Sequence, residues 1–176
     1  MNKFIKYLAI ILCIGLITGC SGKKEEKKLS ENISSEIKIS EEGASAVCHA
    51  DFDYTNTRGF VTGSKMVIFT DSNNIVTKVS TQEIAESNDK SVLSILEESI
   101  KENYSVASQY GGYDYDVSLN GNRLIITTTI DYTVLDMEKM ATDNDTLEVY
   151  LNKDHRFTLA SIQSMYMAVG AECVVK

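Results

Sequence analysis

The 176-residue chain has no proline, no tryptophan and only two histidines, and 8% of its residues are aromatic. The missing proline excludes collagen-like and proline-rich readings. No GxSxG, HExxH, GxxxxGK[ST] or GxGxxG motif occurs, which removes the serine-hydrolase elbow, the zincin helix, the P-loop and the dinucleotide fingerprint. No CxxC spacing occurs either, and no cofactor motif is present. No apolar run reaches the ~20 residues needed to cross a bilayer. What remains is an ordinary globular composition, 43% apolar and 24% charged, at a length that suits one domain with a real core.

The first twenty residues carry an address. Lys3 and Lys6 form a positive n-region, and Tyr7 to Ile17 form an apolar stretch of eleven residues, too short for a span and suited to a secretory signal. The stretch runs into Leu16-Ile17-Thr18-Gly19-Cys20, which resembles the lipobox of bacterial lipoproteins. That resemblance implies a diacylglyceryl thioether on Cys20, cleavage just before it, and residues 1–19 removed as signal peptide. The expected localisation is the cell membrane, lipid-anchored and facing the extracytoplasmic side. Removing Lys3 and Lys6 leaves fifteen basic against twenty-five acidic residues, a surface that repels nucleic-acid backbones.

Residues 20–43 are expected to be the lipidated cysteine and a charged flexible tether. Positions 21–43 hold eleven charges and five serines with no aromatic, and the stripe Leu29, Ile33, Ile37 is thin for an amphipathic helix. A 23-residue coil reaches roughly 25 Å root-mean-square.

Cys13 leaves with the signal and Cys20 is consumed by lipid, so Cys48 and Cys173 remain as an even pair in an exported chain. They are expected to form a disulfide. It would close almost the whole of a single α+β globular domain over residues 44–176. In that domain Val47 to Thr55 alternates as a half-buried strand, and Phe60–Phe69 and Ile75–Thr81 form two more around the turn-rich 71–74. Asn88 or Asp89 caps a helix with the stripe Val92, Leu96, Ile100, Tyr104 and Ala107, stopped by Gly111-Gly112. Tyr113–Leu119 and the strand through Leu124, Ile126, Thr128, Ile130 and Tyr132 flank a hairpin turn at Asn120-Gly121. Leu147–Leu151 suggests a short strand, and Thr158 caps a terminal helix ended by Gly170. The order predicts an antiparallel β-sheet with two main helices packed on one face.

This layout resembles the YehR-like small lipoproteins. The matching residues are Cys20, Cys48, Ile130-Asp131-Tyr132 and Gly170-Ala171-Glu172-Cys173, within a likeness that covers most of residues 48–176. The resemblance implies an α+β fold and an extracytoplasmic lipoprotein. The family has no known biochemical function, so no residue roles come with it.

Two constellations stand out as candidate sites. His49, Asp51 and Asp53 alternate on one face of the first strand, and imidazole with carboxylates suits a divalent cation, although about 6.5–7 Å between successive side chains is wide for one ion. Tyr110, Tyr113 and Tyr115 surround Gly111-Gly112 at a helix-to-strand junction, where they either close the end of the core, the plainer reading, or as exposed aromatics serve a protein, peptide or glycan partner. The leading expectation is a non-enzymatic binding or envelope-associated module, anchored to the membrane through Cys20. The alternative is a metal-binding protein or metal-dependent enzyme centred on His49, Asp51 and Asp53.

Overall fold

A computed structural model of the protein describes residues 32–143 and 145–176. The expected signal peptide, Cys20 and the tether residues before 32 lie outside the described residues. Six strands, β1 (Ala46–Asp53), β2 (Val61–Thr70), β3 (Val76–Glu86), β4 (Tyr113–Asn120), β5 (Arg123–Asp131) and β6 (Glu172–Val175), form one sheet. Their order is β4-β5-β3-β2-β1-β6, antiparallel throughout. Four α-helices accompany it among the described residues: α1 (Thr55–Arg58), α2 (Lys90–Ala107), α3 (Met137–Asp143) and α4 (Leu159–Ala168). The architecture is the expected α+β class.

Local chemistry sets the boundaries. Asp71 closes the β2–β3 hairpin, its Oδ1 accepting from the amides of Asn73 at 2.8 Å and Ile75 at 2.9 Å. The β4–β5 loop is Gly121-Asn122, one residue later than expected, because Asn120 still pairs with Arg123 and Gly121 takes the left-handed conformation at φ 65°. Asp89 caps α2 by accepting from the Ser91 amide at 2.9 Å, and Thr158 and Ser161 form a reciprocal capping box on α4. Along α2 the buried stripe begins at Leu93, and Val92 sits half-buried beside it.

Three elements differ from expectation. β3 continues to Glu86, past Thr81, because it pairs along its length with both β2 and β5. Residues 145–150 form a 3-10 helix in place of the expected strand: Leu147 is 1% exposed and Val149 is 80% exposed, so the alternating apolar positions do not share a face. The chain also leaves α4 into β6, too short to show a period in the sequence.

The pleat sorts side chains into two faces. Ala46, Cys48, Met66, Ile68, Val79, Ala85, Leu124, Ile126 and Ile130 all lie under the helices. α4 covers one part of this face with Ile162 and Tyr166, and α2 covers the other with Leu93, Leu96, Ile100 and Tyr104. Both main helices therefore pack on one face of the sheet. Cys48 and Cys173 are bonded, and they are directly opposed residues of β1 and β6, with Cα atoms 4.0 Å apart. The terminal helix ends against the first strand as expected, a Cβ at Gly170 standing 3.3 Å from the Phe52 ring, and the added strand β6 carries the chain on to the bridge.

Residues 32–43, expected as the end of a solvated tether, are a strap on the other face of the sheet. Ile33 and Ile37, at 1% and 3% exposure, pack with Val61 and Ile84. A 3-10 turn over Ile33–Glu36 followed by extended chain turns both isoleucines to the sheet, so two apolar residues suffice without an amphipathic helix. The Ser34 amide donates to Asp51 Oδ1 at 2.8 Å, and the Ser34 hydroxyl donates to Asp51 Oδ2. Arg123 joins Glu36 of the strap at 2.6 Å to Glu86 of β3 at 2.8 Å. Gly63 makes this closeness feasible: a Cβ there would stand 2.4 Å from the Ser34 nitrogen and 2.7 Å from the Ile33 Cβ.

Two outcomes follow from these contacts. Gly63→Ala is expected to lift the strap at a cost of about 1–3 kcal/mol, the range for overpacking a close contact. Urea unfolding would register the loss and limited trypsin digestion would show faster cleavage after Lys38; unchanged digestion would show that the strap does not need Gly63. Replacing Cys48 and Cys173 together by Ser should retain the fold and lower stability by up to roughly 4–5 kcal/mol on the chain-entropy account of a loop closed over 125 residues. Matched denaturation curves of the two proteins measure it.

Candidate functional site

β1 does place His49, Asp51 and Asp53 on one face, the face away from the helices. It does not make them a metal centre. Asp51 is engaged by Ser34 as described, and Asp53 Oδ1 accepts from the Thr55 hydroxyl at 2.5 Å and the Thr55 amide at 2.8 Å, at the start of α1. Those two hydrogen bonds, the hydroxyl first, hold the Asp53 carboxyl below its ordinary value. Among the described residues no group of three His, Cys, Asp or Glu is placed to hold a metal ion.

His49 belongs to a different arrangement. Its cross-strand partner on β2 is Lys65, and both line a cleft of about 350 Å³ between the strap and the sheet. Val47 and Val174 supply apolar wall, Lys176 enters from beyond β6, and Ser34, Ser35 and Glu41 close the cleft from the strap. The Glu41 carboxylate bridges the two ammonium groups, Oε1 at 2.5 Å from Lys65 Nζ and Oε2 at 2.8 Å from Lys176 Nζ. These hydrogen bonds, from Lys176 first and then Lys65, pull its pKa down to about 2. No local motif announces this cleft. Its residues come from positions 34–49, 65 and 174–176, and only His49 carried a signal of its own.

The tyrosines pack at the end of the core, Tyr110 buried and Tyr113 and Tyr115 half-buried. Tyr110 is 3% exposed, and its hydroxyl donates to Asp143 Oδ2 at 2.8 Å while the Lys139 ammonium lies 5.3 Å from its ring. Tyr113 and Tyr115 occupy the inward positions of β4, opposite Ile130 and Thr128. Tyr113 is half-buried against Met140, and burial raises its hydroxyl to about 12. Tyr115 stacks on Tyr104 with ring centroids 5.1 Å apart. Gly112 is where the backbone turns in: φ is 70°, and a Cβ would stand 2.5 Å from the Asp131 carbonyl oxygen.

A second polar feature lies beneath the helices, between the two apolar clusters. Glu83 is 4% exposed and accepts from the Thr62 hydroxyl at 3.1 Å. Ser64 stands opposite it on β2, and the buried hydroxyls of Ser64 and Tyr166 have no hydrogen-bond partner among the described residues. Thr128 donates to the Tyr104 hydroxyl at 3.0 Å. Burial raises the Glu83 carboxyl to about 8, the Thr62 hydrogen bond offsetting only part of the loss of solvation. The signal was present: the period through Val79 and Thr81 continues to an inward position 83 once β3 is drawn at its true length.

Glu83 generates a pH dependence. Below its ordinary value of 4.5 it is neutral in both the folded and the unfolded chain; between 4.5 and about 8 only the unfolded chain ionises. Its contribution to stability is therefore fully present below 4.5, falls as pH rises through that window, and levels off above about 8. Urea midpoints at successive pH values should show this slope in the native sequence and a flatter one in Glu83→Gln. Equal slopes would mean that Glu83 does not hold its proton.

No family model and no curated protein matches the chain. Among solved structures it is similar to the NMR structure of a Streptococcus pneumoniae TIGR4 protein, at 17% identity and a TM-score of 0.42 over 89% of this chain and 100% of that one. It is also similar to the NMR structure of the E. coli YehR protein, at 15% identity and a TM-score of 0.47 over 78% of this chain and 94% of that one. At these identities and TM-scores the likenesses transfer no residue roles.

Proposed function

We propose that the chain is an extracytoplasmic lipoprotein, held to a membrane by a diacylglyceryl group on Cys20, whose domain is a non-enzymatic binding module. The observation that carries the anchor is the order of the first twenty residues: Lys3 and Lys6, an eleven-residue apolar stretch, then Leu16-Ile17-Thr18-Gly19-Cys20. The Cys48–Cys173 bridge is consistent with an oxidising, exported compartment. Two acyl chains on one residue supply the stable attachment that one chain does not.

The strap shortens the link between anchor and domain. The chain joins the sheet at residue 33, so eleven residues, 21–31, separate Cys20 from the first described position. Fully extended they span at most about 40 Å. The strap–sheet cleft is the surface this reading assigns to a ligand. The metal-dependent alternative gains nothing from the geometry, since Asp51 and Asp53 serve Ser34 and Thr55.

Cys20→Ala tests the anchor. The mature-sized protein should disappear from the membrane fraction, leaving released protein or an uncleaved precursor. Mature-sized Cys20→Ala protein that still sediments with membranes would overturn the assignment.

A further inference from the structure

The strap–sheet cleft already holds a carboxylate, and that carboxylate is the protein's own. We propose that the cleft is a binding site for a small carboxylate ligand and that Glu41 is an intramolecular occupant which the ligand displaces. This deepens the reading of the domain as a binding module and is independent of the lipid anchor.

The geometry selects an anion with two oxygens. Lys65 projects from the middle of β2 and Lys176 from the chain beyond β6, yet each ammonium takes one oxygen of the same carboxylate, at 2.5 Å and 2.8 Å. Two cations brought this close repel each other unless an anion lies between them. The Lys65 side chain is only 19% exposed, so it has lost much of its water and needs a counter-charge. A divalent cation is disfavoured by the same two ammonium groups.

Glu41 fills this position loosely. Its side chain is 32% exposed, so water screens both ion pairs and each holds it only weakly. It sits at a turn closed by the Ala44 amide donating to the Glu41 carbonyl at 3.0 Å. Gly43 follows at φ 73° with no atom within 4 Å of a Cβ built there, so the turn has room to swing. Ile33 and Ile37 hold the strap independently of it.

The cleft is also larger than its occupant. Its volume of about 350 Å³ is at the lower end for small-ligand sites and well beyond one carboxyl group. Val47 and Val174 offer apolar wall to a short carbon chain. The half-buried His49 ring has no hydrogen-bond or ionic partner among the described residues and is available to a second polar group. The ligand class is therefore a short-chain carboxylate with a second acceptor.

Calorimetric titration of the full chain in detergent micelles, with succinate and with inorganic phosphate as probes, tests this. Succinate should bind, Glu41→Gln should tighten it by up to about tenfold as the internal competitor is removed, and Lys65→Gln or Lys176→Gln should abolish it. Succinate binding that ignores Glu41→Gln, binding that survives both lysine variants, or phosphate bound in preference to succinate would each overturn the proposal. Circular dichroism confirms that these exposed or half-exposed variants fold. The two readings fail separately: loss of the anchor would appear in the Cys20→Ala fractionation and leave the titration unchanged, whereas a failed titration leaves the anchor standing.

Discussion

The arrangement depends on an apolar patch on the back of the sheet. Val61, Ile84 and Ile125 face away from the helices, toward one end of three adjacent strands, and the two main helices are both committed to the other side. Leaving such a patch in water is unfavourable by about 25 cal/mol per Å² of apolar surface. The chain covers it with its own residues 33–39, and the fit is close enough that position 63 has space only for hydrogen. Because the strap must lie there, Ser34 is brought to Asp51 and Glu41 to Lys65. The cleft is a by-product of covering the patch, formed where the strap lifts off the sheet to turn into β1.

The other end of the chain completes it. β6 is only four residues long, and a strand that short is weakly held by its ladder alone. The Cys48–Cys173 bond fixes its register on β1, and through that register Val174 comes opposite Val47 and Lys176 reaches Glu41. The disulfide therefore does more than shorten the unfolded chain. It sets the position of one of the two ammonium groups that define the cleft. Strap, first strand and last strand meet at one place, and no single segment carries the site.

That division explains what was legible in the sequence. Period-2 alternation gave the faces of β1, β4 and β5, and the 3.6-residue stripe with its Asp89 cap gave α2, because each of these is a repeated local signal. The cysteine count pointed to the Cys48–Cys173 pairing once Cys13 and Cys20 were assigned to the expected signal and anchor. β6 and the strap were not legible: four residues hold no period, and Ile33 and Ile37 among charged neighbours resemble solvated chain until the apolar patch beneath them is known. His49, Asp51 and Asp53 share a face as expected, but a face is not a site. Which partners reach each carboxylate was decided by Ser34, seventeen residues upstream of Asp51, and by Thr55. The tyrosines around Gly111-Gly112 show the same limit, because the inward register of β4 and the close approach of Gly112 to Asp131 turned an aromatic cluster into core.

The chain's charge bears on how the cleft would work. With a formal charge of −8, the molecule as a whole repels carboxylates, so no long-range field draws a ligand in. At physiological ionic strength that repulsion is screened beyond about 8 Å, whereas contacts made inside the partly buried cleft are screened far less. Recognition is therefore local, set by two ammonium groups at hydrogen-bond distance from one carboxylate. An acidic protein with an open dilysine cleft would also be exposed to its own mobile acidic side chains. Glu41 in that position neutralises the two lysines and shields them from the rest of the acidic surface, and because it is held loosely it leaves a position that a carboxylate of suitable shape fills better.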